Sequence, residues 1–180
     1  MIIGITGTLA AGKDTIASYL QKKGFVHYSL SNILREELKK QGIEENIDNL
    51  LALGNKLRQE FGPGILGRKT LEKIKNNKEK KAIASSIRHP KEIEELRKGR
   101  NFVLIAVDAP IKIRYKRIQK RKRAGDQVSF EKFKSQEKSQ LKGNGTKAQL
   151  SKCIKVADYK IINNKSFENL YQNIDKILKN

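Results

Sequence analysis

Near its beginning the chain reads Gly7-Thr8-Leu9-Ala10-Ala11-Gly12-Lys13-Asp14-Thr15, a G-x-x-x-x-G-K spacing followed by Asp and Thr. The stretch follows an apolar run, 1–6, and precedes a segment, 12–23, with apolar residues at helical spacing. A glycine-bounded turn between a strand and a helix can point successive backbone N–H groups at an anion, and the helix adds its positive end. The spacing in this setting predicts a phosphate-binding loop in which Lys13 supplies a further positive charge.

The residue after Lys13 is Asp14, where loops of this kind normally carry a Ser or Thr that ligates Mg²⁺. A carboxylate is a hard oxygen ligand that suits this ion, so Asp14 is a candidate metal ligand, directly or through water. Alternatively, Asp14 only favours the helix N-terminus while Thr15 serves the ion. Asp108, at the end of a later apolar run, is a third candidate; it could orient a magnesium-bound water or simply cap the helix that follows.

Strand-like and helix-like segments alternate along the rest of the chain, which is typical of an α/β protein with a mostly parallel sheet. The predicted strands are 1–6, 25–28, 81–86, 102–107 and 159–162. The predicted helices are 12–23, 31–41, 46–61, 65–74, 90–99, a very basic one after Pro110, 129–141 and 167–178.

The composition bounds the class of protein. The 180 residues, 37% apolar and 32% charged, are enough for about one domain and exclude a disordered chain. Because no apolar run approaches the ~18 residues that cross a bilayer and the start lacks the features of a signal peptide, we expect a cytoplasmic protein that does not enter a membrane. One cysteine, Cys153, and two His exclude an internal disulfide and a metal cluster of these residues.

The net charge is +20, from 39 Lys and Arg against 19 Asp and Glu. Such a charge attracts polyanions, whether nucleic acid, an anionic membrane or phosphorylated small molecules. However, only ten of the 39 are Arg, and the chain is also rich in Ile and Asn, so an A/T-biased coding sequence would give much the same excess. The positions of the basic residues therefore carry more information than their number.

The chain resembles the P-loop nucleoside monophosphate kinase group, which includes adenylate kinase, UMP/CMP kinase and dephospho-CoA kinase. Ser29-Leu30-Ser31-Asn32-Ile33-Leu34-Arg35 looks like the S-x-G-D-x-L-R segment of adenylate kinases, although it lacks the Gly and the Asp. In that family the Arg holds the acceptor phosphate. The resemblance therefore implies that Arg35 binds the acceptor.

Two further arginines are implied as acceptor ligands. Ile87-Arg88-His89-Pro90 lies where the family carries D-G-x-P-R, with the order altered and Ser in place of the acid. Arg88 would be the second arm of a clamp, because a guanidinium fork suits a phosphate dianion. Arg58 lies near the helix break at 62–64 and is the third candidate. Each of these arginines could instead be a solvated surface residue.

The segment 112–123 holds eight Lys or Arg among twelve residues. Within it Arg117-x-x-x-Arg121, followed by Arg123 and Asp126, resembles the lid signatures of UMP/CMP kinase. The resemblance implies that Arg117 and Arg121 stabilise charge on the transferred phosphoryl group as a lid closes. The alternative is a basic helix that is merely solvated or that grips nucleic acid. The later lid arginine of the family is missing.

The segment 157–166 resembles the A-D-x-x-I-x-N segment near the end of dephospho-CoA kinases, whose loop would lie near the donor base. Asn164 is the candidate nucleotide contact there, with Lys165 beside it. An Asn-rich turn capped by Ser166 explains these residues equally well.

The resemblance implies one P-loop kinase domain over 1–180, a three-layer α/β fold. Its parallel sheet would have the strand order 2-3-1-4-5 with helices on both faces, a helical acceptor-binding segment at about 29–77 and a small helical lid at about 112–145. ATP with Mg²⁺ would bind the loop, and Lys13, Arg88, Arg117 and Arg121 would be catalytic. The protein would be a monomer or a homodimer.

The class of acceptor is indicated by the lack of carboxylates at the ends of the second and third predicted strands. A hydroxyl acceptor benefits from a carboxylate base, whereas a phosphate acceptor is already anionic. Dephospho-CoA kinases place an Asp at the end of the second strand, and this chain has Ser29 and Ser31 there. We therefore expect phosphoryl transfer from ATP to a nucleoside or deoxynucleoside monophosphate. Two alternatives stay open: dephospho-CoA kinase-like activity on a hydroxyl, and a nucleotide-binding module that binds nucleic acid without kinase activity.

Overall fold

The centre of the fold is a five-stranded parallel sheet. The structure is a computed structural model, and it describes residues 1–121 and 126–179. The strands of the sheet are β1 (Ile2–Gly7), β2 (Val26–Ser29), β3 (Ala82–Ile87), β4 (Phe102–Asp108) and β5 (Tyr159–Ile162). They lie in the order β2-β3-β1-β4-β5, and every neighbouring pair is parallel. The predicted strand order is confirmed.

Helices connect these strands. They are α1 (Lys13–Gln21), α2 (Leu30–Lys40), α3 (Ile47–Phe61), α4 (Ile65–Asn76), α5 (Pro90–Arg97), α6 (Ile111–Arg121), α7 (Phe130–Leu141), α8 (Leu150–Lys155) and α9 (Phe167–Lys179). Within the described part of the chain, none of them has the length and apolar character needed to cross a bilayer.

Alternating side chains of the strands build one apolar layer on each face of the sheet. On one face Ala82 and Leu104 belong to a buried cluster with residues of α2, α3, α4, α5 and α8. On the other face Ile83 and Ile105 belong to a second cluster with residues of α1 and α9. The sheet therefore has helices on both sides, as predicted.

The helix α8 is absent from the sequence prediction. It has only six residues, too few to show helical periodicity, and its buried side chains, Leu150 and Cys153, are three positions apart. The basic helix predicted after Pro110 is α6, Ile111–Arg121; Arg123, which was part of the resemblance to the lid signatures, falls outside the described residues.

The carboxyl ends of all five strands lie at one edge of the sheet, because the strands are parallel. In α/β sheets that edge is where ligands bind. The phosphate-loop sequence begins there at Gly7, beside Ser29 at the end of β2 and Ser86 near the end of β3. Pairing of β1 with β3 shifts register after Ile5, and Ser86 has a positive φ of 67°, which is unusual outside glycine.

Cys153 allows a test of the core. It is a free thiol with no exposed surface, and burial raises its pKa from 9.0 to about 12. Because the thiolate is the reactive form, we expect a thiol reagent at pH 8 to label the folded chain roughly 10³-fold more slowly than the urea-unfolded chain. The unfolded thiol ionises first, so its titration should also lower the free energy of unfolding as pH rises from about 9 to about 12. Equal labelling rates would mean that α8 does not cover this thiol.

Candidate functional site

Two glycines define the path of the loop between β1 and α1. Gly7 has φ 140°, and a Cβ there would overlap the carbonyl oxygen of Val107. Gly12 has φ 110°, and a Cβ there would overlap the side-chain amide of Asn163. Both positions therefore require glycine. The helix α1 begins at Lys13, and the N–H groups of a first helical turn have no partners within the helix.

The side chain of Lys13 folds back over this loop. Its Nζ donates to the carbonyl oxygens of Gly7 at 2.9 Å and Thr8 at 2.7 Å. Burial, followed by the positive charge of Arg88, lowers the pKa of Lys13 to about 7, although Asp14 opposes the shift. A phosphate group at the loop would favour the charged form of this lysine.

Asp108 and Asn163 attach the loop to the ends of β4 and β5. Thr8 Oγ1 donates to Asp108 Oδ1 at 2.5 Å, and the same oxygen accepts from the Ala109 N–H at 2.8 Å. Asn163 Nδ2 donates to the Ala11 carbonyl at 2.8 Å, and its N–H donates to the Asp108 carbonyl at 2.7 Å. In this structure Asp108 thus supports the loop; its contact with a metal-bound water stays a prediction.

A cavity of about 490 Å³ opens beside the loop. It brings together most of the residues that the sequence singled out. Of those, the cavity is lined by Leu9, Ala10, Gly12, Lys13, Asp14, Thr15, Arg35, Arg58, Arg88, Arg117 and Arg121. Asn164 and Asp108 are not among the described lining residues: Asn164 is exposed, and its neighbour Asn163 lines the cavity instead.

Arg88 lies in the turn between β3 and α5. Its Nε donates to Gln140 Oε1 at 3.1 Å and its NH1 to Ser31 Oγ at 3.0 Å, so it touches both α7 and α2. Burial, followed by the charges of Arg58 and Arg35, lowers the pKa of Arg88 to about 10. A guanidinium crowded by other cations would gain from a bound anion.

The other two predicted acceptor ligands differ in their surroundings. Arg35 is half-buried; its Nε lies 2.6 Å from Glu45 Oε1 and its NH1 2.9 Å from Asn32 Oδ1. Arg58 is only 2% exposed, and its Nε and NH2 each lie 2.9 Å from Glu92 Oε1. The surface alternative is therefore wrong for Arg58, whose charge is paired inside the protein. Its contact with an acceptor stays a prediction.

Two arginines of α6, Arg114 and Arg117, donate to carbonyl oxygens of the loop, and Arg121 lines the cavity. Arg117 donates to the carbonyls of Asn163 at 3.0 Å and Ala11 at 3.4 Å. Arg121 forms a two-bond ion pair with Asp126, at 2.8 and 2.7 Å. The sequence did not single out Arg114, which is 4% exposed, donates to Leu9 O at 3.3 Å and pairs with Glu137 of α7. Arg114 lies three residues before Arg117 and seven before Arg121, which places all three on one face of the helix, and this spacing is the sequence signal that could have identified it.

The cavity has two ends, one towards each edge strand of the sheet. At the β2 edge its wall is apolar and includes Leu34, Leu50 and Leu51 from α2 and α3. At the β5 edge the wall includes Lys165, from the loop before α9, and Phe167, the first residue of α9, whose ring is 62% exposed. Sequence reasoning named Lys165 but missed the apolar residues of both walls, because apolar residues on a helix usually predict core.

The oxygen donors beside Lys13 fit a magnesium ion that accompanies a nucleotide. Such an ion usually takes one or two protein oxygens and completes its shell with phosphate and water, and Asp14 and Thr15 both line the cavity. In the parts of the chain that the structure describes there is no cluster of three or more His, Cys, Asp or Glu that could hold a metal by itself.

Comparison with known proteins gives consistent findings. A profile described as AAA domain matches residues 3–139. A UPF0200 protein of Pyrococcus abyssi is 33% identical over 184 residues, covering 99% of this chain and 96% of its own length. A UPF0200 protein of Methanocaldococcus jannaschii is 32% identical over 181 residues, covering 99% of this chain and 89% of its own length.

Three solved structures share the fold. TT1252 from Thermus thermophilus superposes with a TM-score of 0.61 at 22% identity, covering 99% of this chain and 96% of its own. Shikimate kinase from Acinetobacter baumannii, in complex with shikimate, gives 0.60 at 17% identity, covering 98% and 92%. Dephospho-CoA kinase from Campylobacter jejuni gives 0.56 at 20% identity, covering 99% and 95%. At these identities the likeness concerns the fold alone.

Proposed function

The chain belongs to the UPF0200 protein family and contains an AAA domain with the fold of P-loop kinases, and from this premise we propose that it transfers the γ-phosphoryl group of ATP to a nucleoside or deoxynucleoside monophosphate. The observation that carries the acceptor class is the charge of the cavity. Arginines line its acceptor side, and Asp14, on the phosphate loop, is the only acid among the described lining residues.

The missing base favours a phosphate acceptor. A phosphate oxygen attacks as an anion, so the site needs to position it and offset its charge, whereas a hydroxyl gains from a carboxylate that takes its proton. The strands that face the acceptor carry Ser29 at the end of β2 and Ser86 one residue before the end of β3. Their hydroxyls, 3.3 Å apart, can donate to a phosphate but are poor bases.

The acceptor phosphate would lie between Arg35 and Arg88, with the Ser31 hydroxyl beside the Arg88 fork. The apolar wall of Leu34 and Leu50 would contact the base. This arrangement orients the attacking oxygen towards the loop, and fixing two reactants in this way removes much of the entropic part of the barrier.

The triphosphate of ATP would lie along the loop, with Lys13 released from the loop carbonyls to the β and γ oxygens. In the transition state charge spreads over the transferred group, and Lys13, Arg88, Arg117 and Arg121 would stabilise it electrostatically. A magnesium ion bound with the nucleotide, held by Asp14 or Thr15, would neutralise further phosphate charge.

The proposed lid, residues 112–145, contains α6 and α7. In this structure α7 contacts the acceptor side: Gln140 accepts from Arg88, Gln136 donates to Asp48 of α3 at 3.3 Å, and Lys132 pairs with Asp48 at 2.8 Å. These contacts hold α7 against α3 beside the cavity. A lid in this place would exclude water, which would otherwise compete with the acceptor for the phosphoryl group.

The exposed ring of Phe167 is the proposed stacking surface for the donor base. The chain has no Trp, so Phe167→Trp introduces a single fluorophore at this position. We expect ATP to change its emission, while inorganic triphosphate, which lacks a base, leaves the emission unchanged. Because base stacking contributes ~1–3 kcal/mol, Phe167→Ala should weaken ATP binding roughly tenfold.

Phe61→Trp is the matched control, since Phe61 is a comparably exposed ring, at the end of α3. If ATP and inorganic triphosphate affect Trp at position 167 equally, or if Phe167→Ala binds ATP like the unmodified protein, the base does not stack there.

A product screen tests the proposed function. The protein is incubated with ATP and Mg²⁺ against all ribo- and deoxyribonucleoside monophosphates, dephospho-CoA and shikimate, with Lys13→Ala as the inactive control. We expect a nucleoside diphosphate and no product from the two hydroxyl acceptors. Phosphorylation of dephospho-CoA or shikimate alone would replace the phosphate acceptor with a hydroxyl. No product at all, together with salt-sensitive retention on nucleic acid, would favour the non-enzymatic alternative.

A further inference from the structure

The carboxylate of Glu92, in the first turn of α5, is completely buried, accepts three hydrogen bonds and forms an ion pair with Arg58. Its Oε1 accepts from Nε of Arg58 at 2.9 Å and lies 2.9 Å from NH2 of the same guanidinium. Its Oε2 accepts from the backbone N–H groups of Arg88 at 2.8 Å and His89 at 3.1 Å. One carboxylate therefore joins α3, through Arg58, to the main chain of the residue proposed to hold the acceptor.

We propose that Glu92 is a positioning residue for Arg88: it holds the backbone of the turn between β3 and α5 in register with α3, so that the Arg88 guanidinium faces the acceptor. The inference rests on the proposed function, because it takes Arg88 as the acceptor ligand. Glu92 itself does not line the cavity among the described residues.

The backbone around Arg88 is held by polar contacts on both sides. Glu92 accepts from its N–H, and its carbonyl accepts from the Gln149 N–H at 2.8 Å. His89 caps α5, and its Nε2 lies 3.0 Å from Gly145 O. Two residues before Arg88, within β3, Ser86 has a positive φ. Arg88 lies between β3 and α5, outside the regular hydrogen bonds of either element. The polar contacts of its backbone therefore determine where its side chain points.

A capping role alone accounts for only half of the contacts of Glu92. A glutamate at this position of a helix commonly accepts backbone N–H bonds, and that arrangement needs no buried arginine. Arg58 belongs to α3, whose Leu50 and Leu51 line the acceptor end of the cavity. Since a buried ion pair is often no more stabilising than an apolar pair, stability gives little reason for this one. We therefore assign the Arg58–Glu92 pair the role of joining α3, which forms the acceptor end of the cavity, to the turn that carries Arg88.

The first test compares Glu92→Gln with Glu94→Gln, which changes an exposed carboxylate on the same helix. Steady-state kinetics with the monophosphate acceptor are expected to show a KM for the acceptor roughly 10-fold to 10²-fold higher in Glu92→Gln, because small misplacements of a binding group have effects of this size. The KM for ATP should stay within about twofold. Glu94→Gln should match the unmodified protein. An unchanged acceptor KM in folded Glu92→Gln overturns the proposal.

A double variant, Arg58→Met with Glu92→Gln, keeps the experiment decisive if the single variant fails to fold, because it leaves no unpaired buried charge. Its glutamine can still accept from the backbone N–H groups, while the connection to α3 is lost. Because Arg58 itself lines the cavity, the acceptor KM of this variant is read together with the Arg88 Nε–H signal described below. A raised KM with a shifted Arg88 signal supports the proposal, and a wild-type KM or an Arg88 signal that stays in place overturns it.

Arginine Nε–H signals in ¹⁵N spectra give a readout that does not depend on turnover. The Arg88 signal, assigned by its loss in Arg88→Lys, reports the hydrogen bond to Gln140. In Glu92→Gln it should shift, while the signal of Arg121, which pairs with Asp126, should not. If the unmodified protein phosphorylates no monophosphate, the proposed function fails. If the Arg88 signal stays in place in Glu92→Gln, the positioning role fails.

Discussion

Replacing Lys13 by alanine is expected to lower kcat with ATP by ~10² or more, by analogy with the loss of one preorganised charge-stabilising donor. Lys13 is the cation nearest the start of α1, and its Nζ already lies over the carbonyls of Gly7 and Thr8. Its ammonium would follow the charge that develops on the transferred phosphoryl group. Steady-state assays against each accepted monophosphate measure the effect.

Two controls accompany the Lys13→Ala assay. Lys22→Ala removes an exposed lysine just after α1 and should leave kcat unchanged. The melting temperature of Lys13→Ala should not fall, because burial disfavours the charged form of Lys13 in the fold and its pKa is lowered accordingly. A loss of kcat below tenfold, in a protein that melts normally, would count against the proposed mechanism.

Replacing Arg88 by lysine is expected to lower kcat/KM for the acceptor by ~10², although the positive charge is kept. The Arg88 guanidinium reaches Ser31 and Gln140 at the same time, with planar geometry that a single ammonium cannot reproduce. The same planar fork can bind two oxygens of one phosphate. The KM for ATP should change little, since in the proposed arrangement the ATP phosphates lie along the loop and not at Arg88.

Arg100→Lys is the matched control for this substitution, because Arg100 is exposed and lies in the turn before β4. Kinetics with the acceptor varied at saturating ATP separate the two variants. Equal kcat/KM for Arg88→Lys and the unmodified protein would mean that Arg88 contributes only charge and does not grip the acceptor phosphate.

The sequence was sufficient to predict the sheet. The apolar runs locate all five strands within about one residue, and the resemblance supplied the strand order. Even β3, a weak candidate made of Ala, Ile and Ser, is confirmed; it lies between β2 and β1, and its alternating side chains are buried on both faces of the sheet. Local pattern and overall fold agree here.

The contacts that shape the site could not be predicted, because they join residues far apart in the chain. Arg58 and Glu92 are 34 positions apart, and Arg88 and Gln140 are 52 apart. Their pairing depends on how α3, α5 and α7 pack on the sheet. A periodic pattern shows which face of a helix is buried, but does not show which polar side chain it meets there.

The sequence prediction named Asn164 as the nucleotide contact, whereas in the structure its neighbour Asn163 lines the cavity. Side chains alternate from one side to the other along an extended strand, so neighbours leaving β5 point in opposite directions. Asn163 is buried against Ala11, and Asn164 is exposed. An Asn-Asn pair offers no local signal that distinguishes the two.

The shared fold does not determine the acceptor. Structures named as shikimate kinase and dephospho-CoA kinase superpose on this chain with similar TM-scores of 0.60 and 0.56. The same fold therefore occurs in proteins named for different acceptors. The proposed acceptor class is argued from the side chains of this chain. The main ones are Arg88 and the serines, Ser29 and Ser86, at positions where a hydroxyl acceptor would need a carboxylate base.

A crystal structure with a non-hydrolysable ATP analogue and Mg²⁺ tests the phosphate loop most directly. We expect β-phosphate oxygens about 3 Å from backbone nitrogens within 10–15, and the Nζ of Lys13 moved from the carbonyls of Gly7 and Thr8 onto the phosphates. If the triphosphate binds elsewhere, or the loop stays empty with Lys13 still bonded to those two carbonyls, the loop does not bind nucleotide and the proposed phosphotransferase is wrong.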